Sequence, residues 1–197
     1  MSIAPKPGEQ YIIRRKILKI FGAAFHVYGP DGSVVAYCKQ KALKLREDLR
    51  LYTDETASQE LLSMRARQVI DFGATYDIEV AGVGTIAQLR RKGLSSTFVR
   101  DAWLVYNEEG REIATITERG AMLSFLRRYL EFIALFAPQQ FDVVRTADGS
   151  PLASFRQHFN PFVYRLSVSI LADDPELDEL ALLAAGCLLA AIEGRQG

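Results

Sequence analysis

The chain holds 197 residues, 49% hydrophobic and 24% charged, a balance that provides a sizeable core and excludes disorder throughout. Lys plus Arg equals Asp plus Glu at 24 each, so no overall excess of charge recruits nucleic acid, and none is expected as a partner. Two cysteines, Cys38 and Cys187, and two histidines, His26 and His158, are too few for a disulfide framework or a Cys/His zinc site; no metal or other cofactor is expected.

The first nine residues, rich in Pro and Gly, show no apolar signal region; they read as a flexible tail on a cytoplasmic protein, with one domain spanning 10–197. Strands are predicted from Ile12 to Ile20, then in a hairpin, Phe25 to Tyr28 and Val34 to Cys38, around the turn Gly29-Pro30-Asp31-Gly32, where Pro fixes φ and Gly supplies a positive one. From Leu43 to Leu51 leucines hold one parity and Lys44, Arg46, Asp48 and Arg50 the other, the alternation of a half-buried strand; Glu47, on the leucine face, needs a partner, water or a local bulge, and a structural ion pair is favoured over catalysis. Further strands follow at Glu60 to Arg67, Thr75 to Val80 and Thr85 to Arg90. Two more hairpins repeat the first one's grammar. One joins Trp103–Tyr106 to Glu112–Ile116 through Gly110, and the other joins Phe141–Val144 to Leu152–Phe155 through Gly149. Tyr164 to Ile170 alternates again after Asn160-Pro161. About a dozen antiparallel strands must hide their edges, and closure into a barrel does so most completely.

Two segments break the β rhythm. Over 121–136, helical spacing gathers Ser124, Arg127, Arg128 and Glu131 on one arc and Met122, Phe125, Leu126, Tyr129, Phe132 and Ile133 opposite. This amphipathic helix either packs its apolar face on the barrel or lies in a membrane plane with Phe125 and Phe132 inserted and Arg127 and Arg128 at headgroup level; the sequence leaves both open. The second helix is predicted to open at Asp173-Asp174-Pro175-Glu176, where acidic residues and Pro suit a first turn, and to run through the apolar stretch to Ile192. It is apolar on every side and must be buried on every side, yet it falls short of the roughly 20 residues that cross a bilayer. At about 1.5 Å per residue its roughly 18 residues reach about 27 Å, the depth of a barrel, and Ala and Gly keep it slim enough to be the barrel's core.

Arg90-Arg91-Lys92-Gly93, with Arg100, is the densest basic cluster and the candidate site for phosphate or anionic headgroups. Residues 1–50 carry ten Lys or Arg against four Asp or Glu, while the final helix opens acidic. Gly82-x-Gly84 lacks the third glycine and the helix of a dinucleotide loop; phosphate-loop, serine-hydrolase and helical zinc spacings are absent from the sequence. His26 and His158 fall in strands or at their ends as packing or hydrogen-bonding residues, Trp103 belongs to the core, and Glu108-Glu109 sits in a turn. With no nucleophile, base and oxyanion donor to assemble, no catalytic residue is nominated.

Lys39-Gln40-Lys41 with Leu45-Arg46-Glu47-Asp48, the stretch Ala66 to Asp77, Leu89 to Leu94, Arg100-Asp101-Ala102-Trp103, Phe159-Asn160-Pro161-Phe162 and Ile192 to Gln196 carry a resemblance. In their order and spacing the chain resembles the LURP-one-related proteins, which share a superfamily with the Tubby C-terminal domain and the phospholipid scramblases. The resemblance implies a twelve-stranded barrel around a hydrophobic C-terminal helix. Tubby-like domains bind phosphoinositides, and scramblases are proposed to move lipid. The chain has no Pro-rich leader, Cys-rich run or evident calcium loop, and no Tubby basic pocket aligns residue by residue. The expectation is a non-enzymatic binding or scaffold module, peripheral at the membrane, with anionic phospholipid or phosphoinositide as partner. The alternatives are a protein-interaction module without lipid binding and, third, a scramblase-like protein.

Overall fold

A computed structural model describes residues 3–16, 24–40, 48–67, 74–92, 102–119, 139–158, 160 and 163–193. The protein is mainly β. Its strands are β1 (Gln10–Lys16), β2 (Ala24–Tyr28), β3 (Val34–Gln40), β4 (Asp48–Tyr52), β5 (Glu60–Ala66) and β6 (Thr75–Val80), followed by β7 (Gly84–Arg91), β8 (Ala102–Tyr106), β9 (Glu112–Glu118), β10 (Gln140–Arg145), β11 (Pro151–His158) and β12 (Val163–Ile170). Each pairs antiparallel with its neighbours in sequence, and β1 pairs with β12 from Gln10 opposite Ser169 to Lys16 opposite Val163, which closes the barrel and leaves no edge. Both the twelve strands and the closure agree with the periodicity.

Alternation sets what points inward. In β2 and β4 every second residue is buried, so Phe25, Val27, Leu49 and Leu51 face the interior and their neighbours face out. The helix α1 (Glu179–Glu193) fills that interior: Ala181 to Ala191 are buried around the whole circumference. Its 15 residues give a length of about 22 Å, matched to strands of five to eight residues at about 3.3 Å each. Small residues let the walls approach. At Gly186 a Cβ would lie 2.5 Å from Val168 Cγ2 on β12 and 3.4 Å from Ile13 Cδ1 on β1, so any side chain added there would force Val168 to shift.

The helix begins later than the acidic signature suggests. Asp174 and Leu177 form an isolated bridge around Pro175-Glu176, and the Asp174 carboxylate accepts the Glu176 N–H at 2.8 Å. The cap is Asp178, whose carboxylate accepts the Leu180 N–H at 2.8 Å. Asp suits an Asx turn as well as a helix start, so the sequence 173–176 served the turn and only Asp178 served the helix. At the other end the last turn of α1 holds no basic residue; Arg15 of β1 reaches in and its Nη1 donates to the Ala191 carbonyl at 3.5 Å, placing a cation at the negative end of the dipole.

Two of the three repeated hairpins are alike in detail. Gly29 N–H donates to the Ser33 carbonyl and Gly32 N–H to the Gly29 carbonyl, and Asn107, Arg111 and Gly110 repeat both bonds in β8–β9. Gly32 (φ 80°) and Gly110 (φ 78°) close these turns in the left-handed region, and each hairpin shifts register by a bulge just before its turn. The third turn is one residue longer, with Gly149 N–H donating to the Arg145 carbonyl. Ahead of β1, Pro5 is buried, Ile3 packs on the core and Gly8 N–H donates to the Ile170 carbonyl, so residues 3–9 lie on the barrel.

Candidate functional site

Because the strands run up and down in sequence order, the turns 29–33, 53–59, 81–83, 107–111 and 146–150 share one end of the barrel with the crossing into α1. That end is acidic. All these turns but 81–83 carry Asp or Glu, and the crossing contributes Asp173, Asp174, Glu176, Asp178 and Glu179. With a net charge of zero, cations must be in excess elsewhere, and strands leave the opposite rim at Arg91 and, beyond β5 and β9, at Arg67 and Arg119. The helix dipole runs the same way, its positive end among carboxylates and its negative end at Arg15.

At the acidic end two arginines fasten the crossing to the wall. Arg145 Nε donates to Asp174 at 2.6 Å, its Nη1 to Asp148 at 3.1 Å and Ser150 Oγ at 2.9 Å, and its Nη2 to the Asp173 carbonyl at 3.2 Å. Arg111 donates to Glu176 at 2.6 Å. The Asp174 side chain is only 6% exposed, so it depends on this partner. Arg145→Gln is therefore expected to lower the melting temperature in thermal denaturation, and Arg145→Lys to restore it only in part, because one point charge cannot serve four acceptors. Beside the crossing lies an open cavity of about 680 Å³ whose lining includes Pro5, Asn107, Arg111, Glu176 and Glu179. Burial, and then Asp173, push the Glu179 carboxyl above its ordinary range. Among the described residues no group of three or more His, Cys, Asp or Glu is arranged to hold a metal ion.

The basic sequence cluster divides across the wall. Arg91 follows the inward parity of Ala87 and Leu89; it lies opposite Trp103 with its guanidinium 5.9 Å from the indole centroid, and Trp103 is itself 3% exposed. Arg90 and Lys92 take the other parity and are exposed. They differ from the arginines around them. Arg50 pairs with Asp48 and Glu60, Arg67 with Asp77 at 2.7 Å and Arg119 with Asp142 at 2.7 Å, whereas neither Arg90 nor Lys92 has a carboxylate partner among the described residues. Arg100, the amphipathic segment with Phe125, Arg127, Arg128 and Phe132, and Glu47 lie outside the described residues.

The other singled-out groups are structural. Trp103 is core, Cys38 and Cys187 are buried, and His26 and His158 hydrogen-bond to Glu55 and to Ser167, each at 2.6 Å. Burial, with the Cys187 thiol second, pushes the Cys38 pKa well up, and burial raises Cys187 likewise, so both remain protonated thiols with little nucleophilic character. The segregation of charge between the two ends was not anticipated. A signal for the acidic end is present in the sequence, since four of its five turns and the crossing into α1 carry Asp or Glu, and it becomes visible once an up-and-down order is assumed.

No family model matches the chain, and no curated protein matches it. The fold is that of a closed, twelve-stranded antiparallel barrel with a C-terminal helix buried against it, and no helix among the described residues is long and apolar enough to cross a membrane.

Proposed function

We propose that the protein is a non-enzymatic binding module of the LURP-one-related and Tubby-like kind that associates peripherally with anionic phospholipid, using Arg90 and Lys92 at the basic rim. The observation that carries this reading is their exposure without a carboxylate partner among the described residues, on a wall where neighbouring arginines are paired. Uncommitted cations are free to meet phosphate by charge-assisted hydrogen bonds. Arg91, spread on Trp103, contributes to stability rather than to binding. The resemblance at 89–94 and the agreement between the implied barrel and the observed one support the same assignment.

Sedimentation with phosphatidylcholine vesicles, with and without phosphatidylserine, tests it. Binding is expected only with the acidic lipid, falling as salt rises, and Arg90→Ala with Lys92→Ala should weaken it by roughly thirtyfold, at about 1 kcal/mol per cation near the surface. Arg91→Ala alone should keep binding and lose about 0.5 to 1 kcal/mol of stability with the ring contact. Equal, negligible sedimentation with both vesicles, unchanged by the substitutions, would overturn the lipid reading. Recovery of a stoichiometric protein partner alongside that result would favour the protein-interaction alternative.

A further inference from the structure

A second cationic feature lies on the outer wall, far from Arg90 in the strand order. Register places four neighbouring strands so that His26 of β2, Arg14 of β1, Arg165 of β12 and His158 of β11 form one row. Arg14 and Arg165 stand directly opposite each other across β1 and β12, and both are exposed. Like charges so placed are destabilising, and sheets usually avoid them or interpose a carboxylate. Here none intervenes. Neither arginine has a carboxylate partner among the described residues, and Arg156, two positions from His158 on the same face, adds a third such cation. Burial, and then Arg165 and Arg156, hold the His158 pKa below its ordinary value.

The pair opens onto a recess. A groove of about 570 Å³ is bounded by Arg14, Arg165, Gln10, Tyr28 and the backbone of the Gly29–Gly32 turn, a volume within the range of small-ligand sites. No Asp or Glu lines it. The carboxylate of the adjoining turn, Asp31, is occupied by Ser33, whose N–H and hydroxyl donate to it at 3.0 and 2.7 Å. Arg14 lies over the Tyr28 ring, 5.4 Å from its centroid, which fixes the guanidinium at the groove without using up its charge.

We propose that this groove between β2, β1 and β12 is a binding site for a phosphate-bearing ligand, held between the Arg14 and Arg165 guanidinium groups. Two planar forks facing one recess call for a multiply charged oxyanion, since a single carboxylate is satisfied by one arginine and would leave the second unpaired. Phosphate brings enough oxygens and charge for both, whether it belongs to a soluble molecule or to a lipid headgroup.

Inorganic pyrophosphate is the probe, with acetate as control, titrated calorimetrically into the full chain. Pyrophosphate should bind and raise the melting temperature while acetate does neither. Arg14→Gln or Arg165→Gln should weaken it at least about tenfold, the worth of one charge-assisted contact. Without ligand, Arg165→Gln should melt no lower than the parent, because it relieves repulsion. Should the glutamine variants not fold, Arg165→Lys, which keeps the charge and loses the fork, should still bind more weakly than the parent. The Arg90→Ala, Lys92→Ala variant should bind pyrophosphate like the parent, which separates this site from the rim. Displacement of pyrophosphate by phosphatidylcholine vesicles containing phosphatidic acid would assign the site to a lipid headgroup; binding undisturbed by those vesicles would assign it to a soluble phosphate compound. No pyrophosphate binding by the parent, or equal affinity in the folded Arg14 and Arg165 variants, would overturn the proposal.

Discussion

Deleting residues 178–197 is expected to leave a chain with no cooperative unfolding transition. Leu182, Leu183, Leu188 and Leu189 are each at most 2% exposed, and each contacts a wall whose inward residues are equally buried. A single buried leucine truncated to alanine costs about 2 to 5 kcal/mol. Net stability is about 5 to 15 kcal/mol, so losing four such side chains and exposing the strands that covered them exceeds it. The measurement is urea denaturation followed by circular dichroism, with Leu183→Ala as the graded counterpart, which should unfold cooperatively at a lower midpoint. A truncated protein that is soluble and melts in one sharp transition would show that the strands close without their filler.

Gly186→Leu should destabilise the protein by overpacking the helix against its wall. The first atom it adds, Cβ, already falls 2.5 Å from Val168 Cγ2, and Val168 is a β-branched residue with little freedom to turn aside. Overpacking of this kind costs about 1 to 3 kcal/mol, and this contact lies at the upper end. The companion experiment tests the cause. Gly to Ala in a helix interior ordinarily gains about 1 kcal/mol, but Gly186→Ala should fail to stabilise the protein. In a Val168→Ala background the same change should become favourable, because the clashing methyl is gone. A Gly186→Leu variant with an unchanged urea midpoint would mean that the helix is not enclosed on this side.

The strands were legible because burial is settled by parity, and parity is written in every second residue. Thr75–Val80 is read to the residue, whereas β1 begins two residues earlier than the apolar run, and residues 17–20 of that run lie outside the described residues. Pairing with β12, which sets Gln10 opposite Ser169, fixes that earlier start, a constraint that no local window contains. Burial of the final helix could be inferred from its lack of a polar face, but its start could not, since Asp173 to Glu176 fits a capped turn and a helix terminus equally well. The candidate site was legible only in part. Arg90, Arg91 and Lys92 form a single cluster in the sequence and two faces in the fold, because adjacent strand residues point apart. Arg14 and Arg165 are 151 positions apart in sequence and become neighbours only when the first and last strands meet.

That meeting also sets a schedule for folding. A growing chain presents β1 long before β12 exists, and all twelve strands are made before the segment their inner faces will surround. Neighbouring hairpins can form early from local contacts, but the seam and the plug require the longest loop closures in the molecule, which slows the final step. Until then the nascent sheet has an open edge on each side and a greasy concave surface, the state in which this protein is most in need of a chaperone.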